Sequence, residues 1–294
     1  MSNLRKKLEA RTPVITGELT PPKGTDTKQF LDDATTIGKC VDAINITDNP
    51  RASMRMGSLG GAYLLKQINI EPIFQITGRD RNRISLQSDL LSAWTMGIEN
   101  VLVTTGDNVS AGDHKGAKPV FDLDSTQMLY ALHNLNNGKD LEGNPLCGAT
   151  GFCYGAAVNP FLTPEELNFI RIRQKIQQGV SFFQTQPVFE IPVFESFINA
   201  YNGLQKTVPV IAGILILKSA QMARFVNSNI SGIRIPDNII SGLENSQNQL
   251  EYGISLAVDL GKSLLGMVSG IHIMSIGLEH RVEGIINAIK GRTD

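Results

Sequence analysis

The sequence is sparing in the residues that build metal centres and cross-links. It has three cysteines and four histidines among 294 residues. Cys40, Cys147 and Cys153 form no C-x-x-C pair, and His114, His133, His272 and His280 do not cluster with them or with each other along the chain. That spacing offers neither a zinc site nor a disulfide framework, and free thiols in a reducing cytosol are expected. The single tryptophan, Trp94, falls at core spacing within a helical pattern and is expected to pack. No apolar run is long enough for a bilayer span. The charged N-terminus, MSNLRKKLEART, has no apolar h-region behind it, so a secretory signal is not expected and a cytoplasmic protein is. The formal net charge of -1 leaves no basic surplus to bind nucleic acid or an anionic membrane surface. No G-x-G-x-x-G follows the first strand pattern, which argues against a Rossmann domain.

What the chain does have is a regular alternation of short apolar runs with amphipathic segments. Strand patterns occur at 13–19, 42–47, 72–77, 101–106, 151–158, 182–186, 209–217 and 270–277. Most are continuously apolar, as in strands buried on both faces. Helical spacing follows each, for instance Phe30, Leu31, Ala34 and Ile37. The helix after the fifth strand opens TPEE, which predicts Thr163 as N-cap, Pro164 at the first helical position and Glu166 closing a capping box. Eight strand–helix units without a linker predict one (β/α)8 TIM barrel over residues 1–294, with an extra helical segment at 236–267 before the last strand.

In such a barrel the active site forms at the C-terminal ends of the strands. The polar residues there are Glu18; Thr47 and Asp48; Gln75 and Thr77; Asp107; Asn159; Gln184 and Gln186; Gln221; and Glu279. Amides and hydroxyls around a barrel mouth suit a heteroaromatic ligand whose edge alternates donors and acceptors. Gln184 and Gln186 share one strand face by the period of two. Arg79, Arg81 and Arg83 in GRDRNR fit either a phosphate contact or a solvated loop paired with Asp80 and Asp89. Asp107 fits either a functional carboxylate or ordinary Gly-Asp turn chemistry.

The segments ELTPP, QITGRDRNRISLQSDLLSAWTMGIENVLVTTGD, FDLDS, FFQTQPVF, GIRIP and EYGISLAVDLGKSLL, in that order, resemble the methylenetetrahydrofolate reductase family, whose catalytic barrel they span. The resemblance implies a flavin, FAD or its variant FMN, and reduction of 5,10-methylenetetrahydrofolate to 5-methyltetrahydrofolate. NADH or NADPH would supply the hydride, or a partner subunit the electrons, and a homo-oligomer is part of the expectation.

Carried over by motif, Glu18 becomes the general acid that protonates N10, and Asp107 the carboxylate beside flavin and pterin. Gln186 and Gln221 become substrate contacts. Thr47, Gln75, Thr105, Gly106, Asp107, Phe121, Asp122 and Lys175 become flavin contacts. The chain departs from the family pattern at Gln75, where many members carry His, at Thr105, where they carry Arg, and at Val158, where a tyrosine is common. An arginine near the end of the last strand is replaced within SIGLEH. The alternatives are a pterin-binding methyltransferase barrel and a partner-dependent subunit of a one-carbon reductase complex.

Overall fold

A computed structural model describes residues 1–230 and 232–291. Among them, eight strands run parallel and close on themselves. These are β1 (Val14–Leu19), β2 (Ala43–Ile46), β3 (Pro72–Thr77), β4 (Asn100–Thr104), β5 (Cys153–Val158), β6 (Phe182–Pro187), β7 (Val210–Leu215) and β8 (Gly270–Met274). Each pairs with its sequence neighbours, and β8 pairs with β1 with His272 opposite Thr16. This is the expected (β/α)8 barrel. Among the described residues no helix is long and apolar enough to cross a membrane.

The period of two divides every strand between the helices outside and the barrel interior. Ile44, Ile46, Phe74, Ile76, Val101 and Val103 face outward into the main core. The inward residues are layered. At the N-terminal end, Val14, Ala43, Ile73, Leu102, Cys153, Phe182 and Ile211 form an apolar cluster with Leu4 and Leu8. Those two leucines belong to α1 (Asn3–Glu9), which plugs the bottom of the barrel. Glu71 holds the plug by accepting from the backbone nitrogens of Asn3 at 2.7 Å and Leu4 at 2.8 Å. Two residues further along the strands the interior turns polar, with Thr16, Asn45, Gln75, Gln184 and His272. Glu18 lies above them.

The outer helices follow in order: α2 (Lys28–Gly38), α3 (Ser58–Gln67), α4 (Arg83–Thr95), α5 (Ser125–Asn136), α6 (Glu165–Gln177) and α7 (Ile191–Asn202). α2 buries Phe30, Ala34 and Ile37, as its spacing predicts. Trp94 of α4 packs edge-on against Phe152, with ring centroids 5.2 Å apart. The predicted cap of α6 is displaced by one residue. Pro164, with ψ 148, is still extended and takes the N-cap position, so Thr163 lies too early to reach the first turn and no side chain caps it.

Three helices separate β7 from β8: α8 (Ala220–Asn229), α9 (Asp237–Asn245) and α10 (Gln249–Leu265). α9 and α10 account for the extra helical segment expected at 236–267. α10 lies so close to the end of β7 that a Cβ on Gly253 would overlap the carbonyl oxygen of Leu217. α11 (Val282–Ile289) ends the described chain and packs on α10.

Candidate active site

Glu18 stands at the mouth of the barrel with its side chain 23% exposed. Two nitrogens face its Oε2, Gln75 Nε2 at 3.5 Å and His272 Nε2 at 3.5 Å. Both belong to a hydrogen-bonded set in the barrel interior. Gln75 Nε2 donates to Asn45 Oδ1 at 3.2 Å, and Asn45 Nδ2 donates to Gln184 Oε1 at 3.1 Å. His272 Nδ1 lies 3.3 Å from Asn45 Nδ2 and 2.9 Å from Thr16 Oγ1. His272 is fully buried, and its Nε2 has no hydrogen-bond partner within normal geometry.

The ends of β2 and β3 are braced by charge. Asp48, buried, accepts from Thr77 N at 2.9 Å and Thr77 Oγ1 at 3.0 Å, and takes Arg81 Nη1 at 2.6 Å. Arg81 also donates from Nε to Asp89 at 2.8 Å. Arg79 is 2% exposed and grips Asp80 with Nε at 2.8 Å and Nη2 at 2.6 Å. Its guanidinium holds the Asp80 carboxyl below the usual carboxylate range. Arg83 pairs with Asp122. The arginine cluster is thus an ion-paired brace, with Arg79 buried and Arg81 partly buried. Thr47 Oγ1 donates to Thr20 Oγ1 at 3.0 Å beside it.

Two clefts open at the strand ends. One, of about 470 Å³, is lined by Glu18, Thr20, Phe30, Arg51, Arg55 and Glu279 among others. The other, of about 420 Å³, lies over β4, β5 and β6. Thr105, Asn159, Gln186 and Lys175 give it a polar edge, and Val158, Leu162 and Ile172 an apolar flank. Lys175 Nζ donates to the Ala157 carbonyl at 2.8 Å. Burial draws its pKa down from 10.5 to about 8, and the nearby Arg171 charge adds to the effect. An apolar flank, an edge of amides and hydroxyls, and two cations form a donor set that fits a flat heteroaromatic ring with a phosphate tail.

The structure therefore brings Thr105, Lys175 and Gln186 together in one cleft and puts Glu18 in the other, with Gln75 against it. The remaining flavin and folate contacts implied by the resemblance line neither cleft. Asp107 is exposed and accepts from Arg51 N at 3.0 Å. Gly106 has φ +91 and lies under Arg79 and Thr77, where a Cβ would crowd both. Phe121 is exposed with φ +43, Asp122 is engaged by Arg83, and Gln221 is exposed on α8. Sequence reasoning missed His272 and Asn45. The available signal was a polar residue at the centre of the apolar strands GIHIM and AINI.

The family model described as methylenetetrahydrofolate reductase matches residues 3–290. The chain belongs to that family. It is 22% identical over 235 residues to a probable methylenetetrahydrofolate reductase (NADPH) of Caenorhabditis elegans, covering 78% of this chain and 34% of that protein. It is 28% identical over 210 residues to methylenetetrahydrofolate reductase 2 of Saccharomyces cerevisiae, covering 67% and 33%. The chain spans about a third of the length of these curated relatives. Among solved structures, an uncharacterized protein from Clostridium thermocellum that binds two copies of 5-methyl-5,6,7,8-tetrahydrofolic acid superposes with a TM-score of 0.71. Its identity is 18%, with 98% of each chain covered. The fold of this reductase-family chain is therefore that of a solved tetrahydrofolate-binding barrel.

Proposed function

We propose that the chain reduces 5,10-methylenetetrahydrofolate to 5-methyltetrahydrofolate, with Glu18 as the proton donor. Family membership supports the reaction class, and the Clostridium thermocellum barrel supports a reduced folate as the ligand. The observation that carries the reading is Glu18 itself. It is a half-buried carboxyl at the mouth of a barrel whose Gln75 amide and His272 imidazole face one of its oxygens.

The folate imidazolidine ring must open before its methylene carbon can accept a hydride, and opening puts a proton on the leaving N10. A positioned carboxylic acid supplies that proton. The C–N10 bond breaks with its electron pair going to N10, and Glu18 is left as a carboxylate. The cation that forms at N5 is stabilised by negative charge, a role assigned to Asp107, which is tied to the rim of the Glu18 cleft through Arg51 N. Gln186 offers an amide that can donate to and accept from either a pterin or a nicotinamide edge. Thr105 and Lys175 would hold a flavin, FAD or FMN, which when bound supplies the relay of hydride from nicotinamide to folate.

The test is reconstitution with FAD and FMN, followed by folate reduction with NADH, NADPH and an artificial donor. Glu18→Gln is expected to take up flavin and allow its reduction by the donor, but to lose folate reduction by about 100-fold or more, the scale of a lost general acid. Normal turnover by that variant removes Glu18 from the role. A protein that takes up neither flavin overturns the redox reading as a whole.

A further inference from the structure

We propose that His272, through its Nε2–H, is the positioning residue that cradles the Glu18 carboxylate left behind when N10 takes the proton. The inference rests on the reading of Glu18 as the acid.

The hydrogen-bond directions around Glu18 are mutually determined. With its transferable proton on Oε1, toward the substrate, Glu18 can only accept at Oε2, in the acid as in the carboxylate, so the Gln75 side-chain atom facing it is the amide nitrogen. That nitrogen has two protons. One points to Glu18 Oε2 at 3.5 Å and the other to Asn45 Oδ1 at 3.2 Å. The Asn45 oxygen is thereby placed toward Gln75, and its nitrogen turns to the other side. The two protons of Asn45 Nδ2 reach Gln184 Oε1 at 3.1 Å and His272 Nδ1 at 3.3 Å. His272 Nδ1 is then an acceptor, which Thr16 Oγ1 also reaches at 2.9 Å. The proton of a neutral imidazole must sit on Nε2, and Nε2 faces Glu18 Oε2 at 3.5 Å. The ring of side chains Glu18–Gln75–Asn45–His272 closes on the atom where it began.

Two features give this ring a task beyond filling the barrel. His272 is fully buried, yet its Nε2 is left without a partner, an arrangement with a real cost unless a partner arrives. Both donors also stand at the same long distance from the same oxygen, so a small inward movement of Oε2 completes both bonds together. Glu18 Oε1 is left for the substrate. As its proton passes to N10, the charge that grows on the carboxylate is met by two oriented N–H groups. His272 touches neither substrate nor proton.

The experiment uses the full chain with histidine labelled in its ring nitrogens. In the unsubstituted protein, nitrogen NMR should show His272 protonated on Nε2 and unprotonated on Nδ1, with the Nε2–H resonance moving in Glu18→Gln. Asn45→Asp replaces the donor to Nδ1 by an acceptor and should reverse the tautomer. That variant and His272→Leu should each lower kcat for folate reduction by about 10- to 100-fold, the scale of a lost hydrogen bond to a charge. Affinity for 5-methyltetrahydrofolate and reduction of bound flavin by the donor should be unchanged. A proton on Nδ1 in the unsubstituted protein overturns the proposal, as does wild-type kcat in a variant whose tautomer has reversed or whose imidazole is gone. If either variant fails to fold, the tautomer of the unsubstituted protein still decides. If Glu18→Gln reduces folate normally, the acid assignment fails and this role with it. If Glu18→Gln is inactive while the other two variants turn over normally, only the cradle is wrong.

Discussion

Arg81 Nη1 lies 2.6 Å from Asp48 Oδ2, and the Asp48 side chain is entirely shielded from solvent. The pair links the end of β2 to the turn after β3, and Asp48 adds two hydrogen bonds from Thr77. Removing one member of such a pair leaves an uncompensated buried charge. Asp48→Asn should therefore destabilise the protein by about 3 kcal/mol, with Asp89 keeping the loss from growing further. Urea denaturation measures it, and an unchanged midpoint would show that the brace contributes nothing.

Lys175 predicts a pH dependence of stability. Burial lowers its folded-state pKa to about 8 from 10.5, so in that window the unfolded chain binds more protons than the folded one. Stability from this group accordingly rises as pH increases from about 8 to 10.5, and the penalty of a buried ammonium is fully present below about 8. Lys175→Met should remove this slope. Parallel denaturant titrations of the two proteins across the window give the comparison, and equal slopes would count against a desolvated amine.

Asp107→Asn separates charge from geometry. The asparagine oxygen can still accept from Arg51 N, so the loop should hold and stability should stay within about 0.5 kcal/mol. Folate reduction should nonetheless fall by about tenfold or more, since the variant carries no negative charge toward the cation at N5. Single-turnover rates are the measurement, and an unaltered rate would return Asp107 to turn chemistry.

Gly112 sets the distance between the two loops over the mouth. A Cβ there would overlap the carbonyl oxygen of Ala52, next to Arg51 at φ +55 and Ala52 at φ +52. Gly112→Ala must push residues 50–52 away and break the bond from Arg51 N to Asp107. Weaker binding of 5-methyltetrahydrofolate is expected, with a fall in affinity larger than the small shift in thermal midpoint. Calorimetry with the product provides both numbers.

The barrel was legible because its signals are local. Each strand is a short apolar run, each helix has its stripe, and Glu18, Thr47 and Asp48 fall at strand ends where the topology must place them. The interior ring was not legible for the same reason. Thr16 and His272 are 256 positions apart and meet only because β8 closes on β1. Histidines searched for clusters along the chain show none, while one of them sits 3.5 Å from the proposed acid. Asp80 and Asp89 were foreseeable partners for the arginines, but Asp48 and Asp122 required the fold. The α6 start slipped because Thr163 and Glu166 match a capping box in spacing, whereas Pro164 is extended and shifts the register by one.

The apolar plug formed by Leu4 and Leu8 has a consequence for traffic. Among the described residues the lower end is stoppered by hydrocarbon, and Glu18 meets bulk water at the upper opening. In the proposed reaction a folate seated over Glu18 would occupy that same doorway. On the proposed reaction, reloading the acid with a proton and exchanging one folate for the next would share that route, and the carboxyl would be recharged between visits rather than during them.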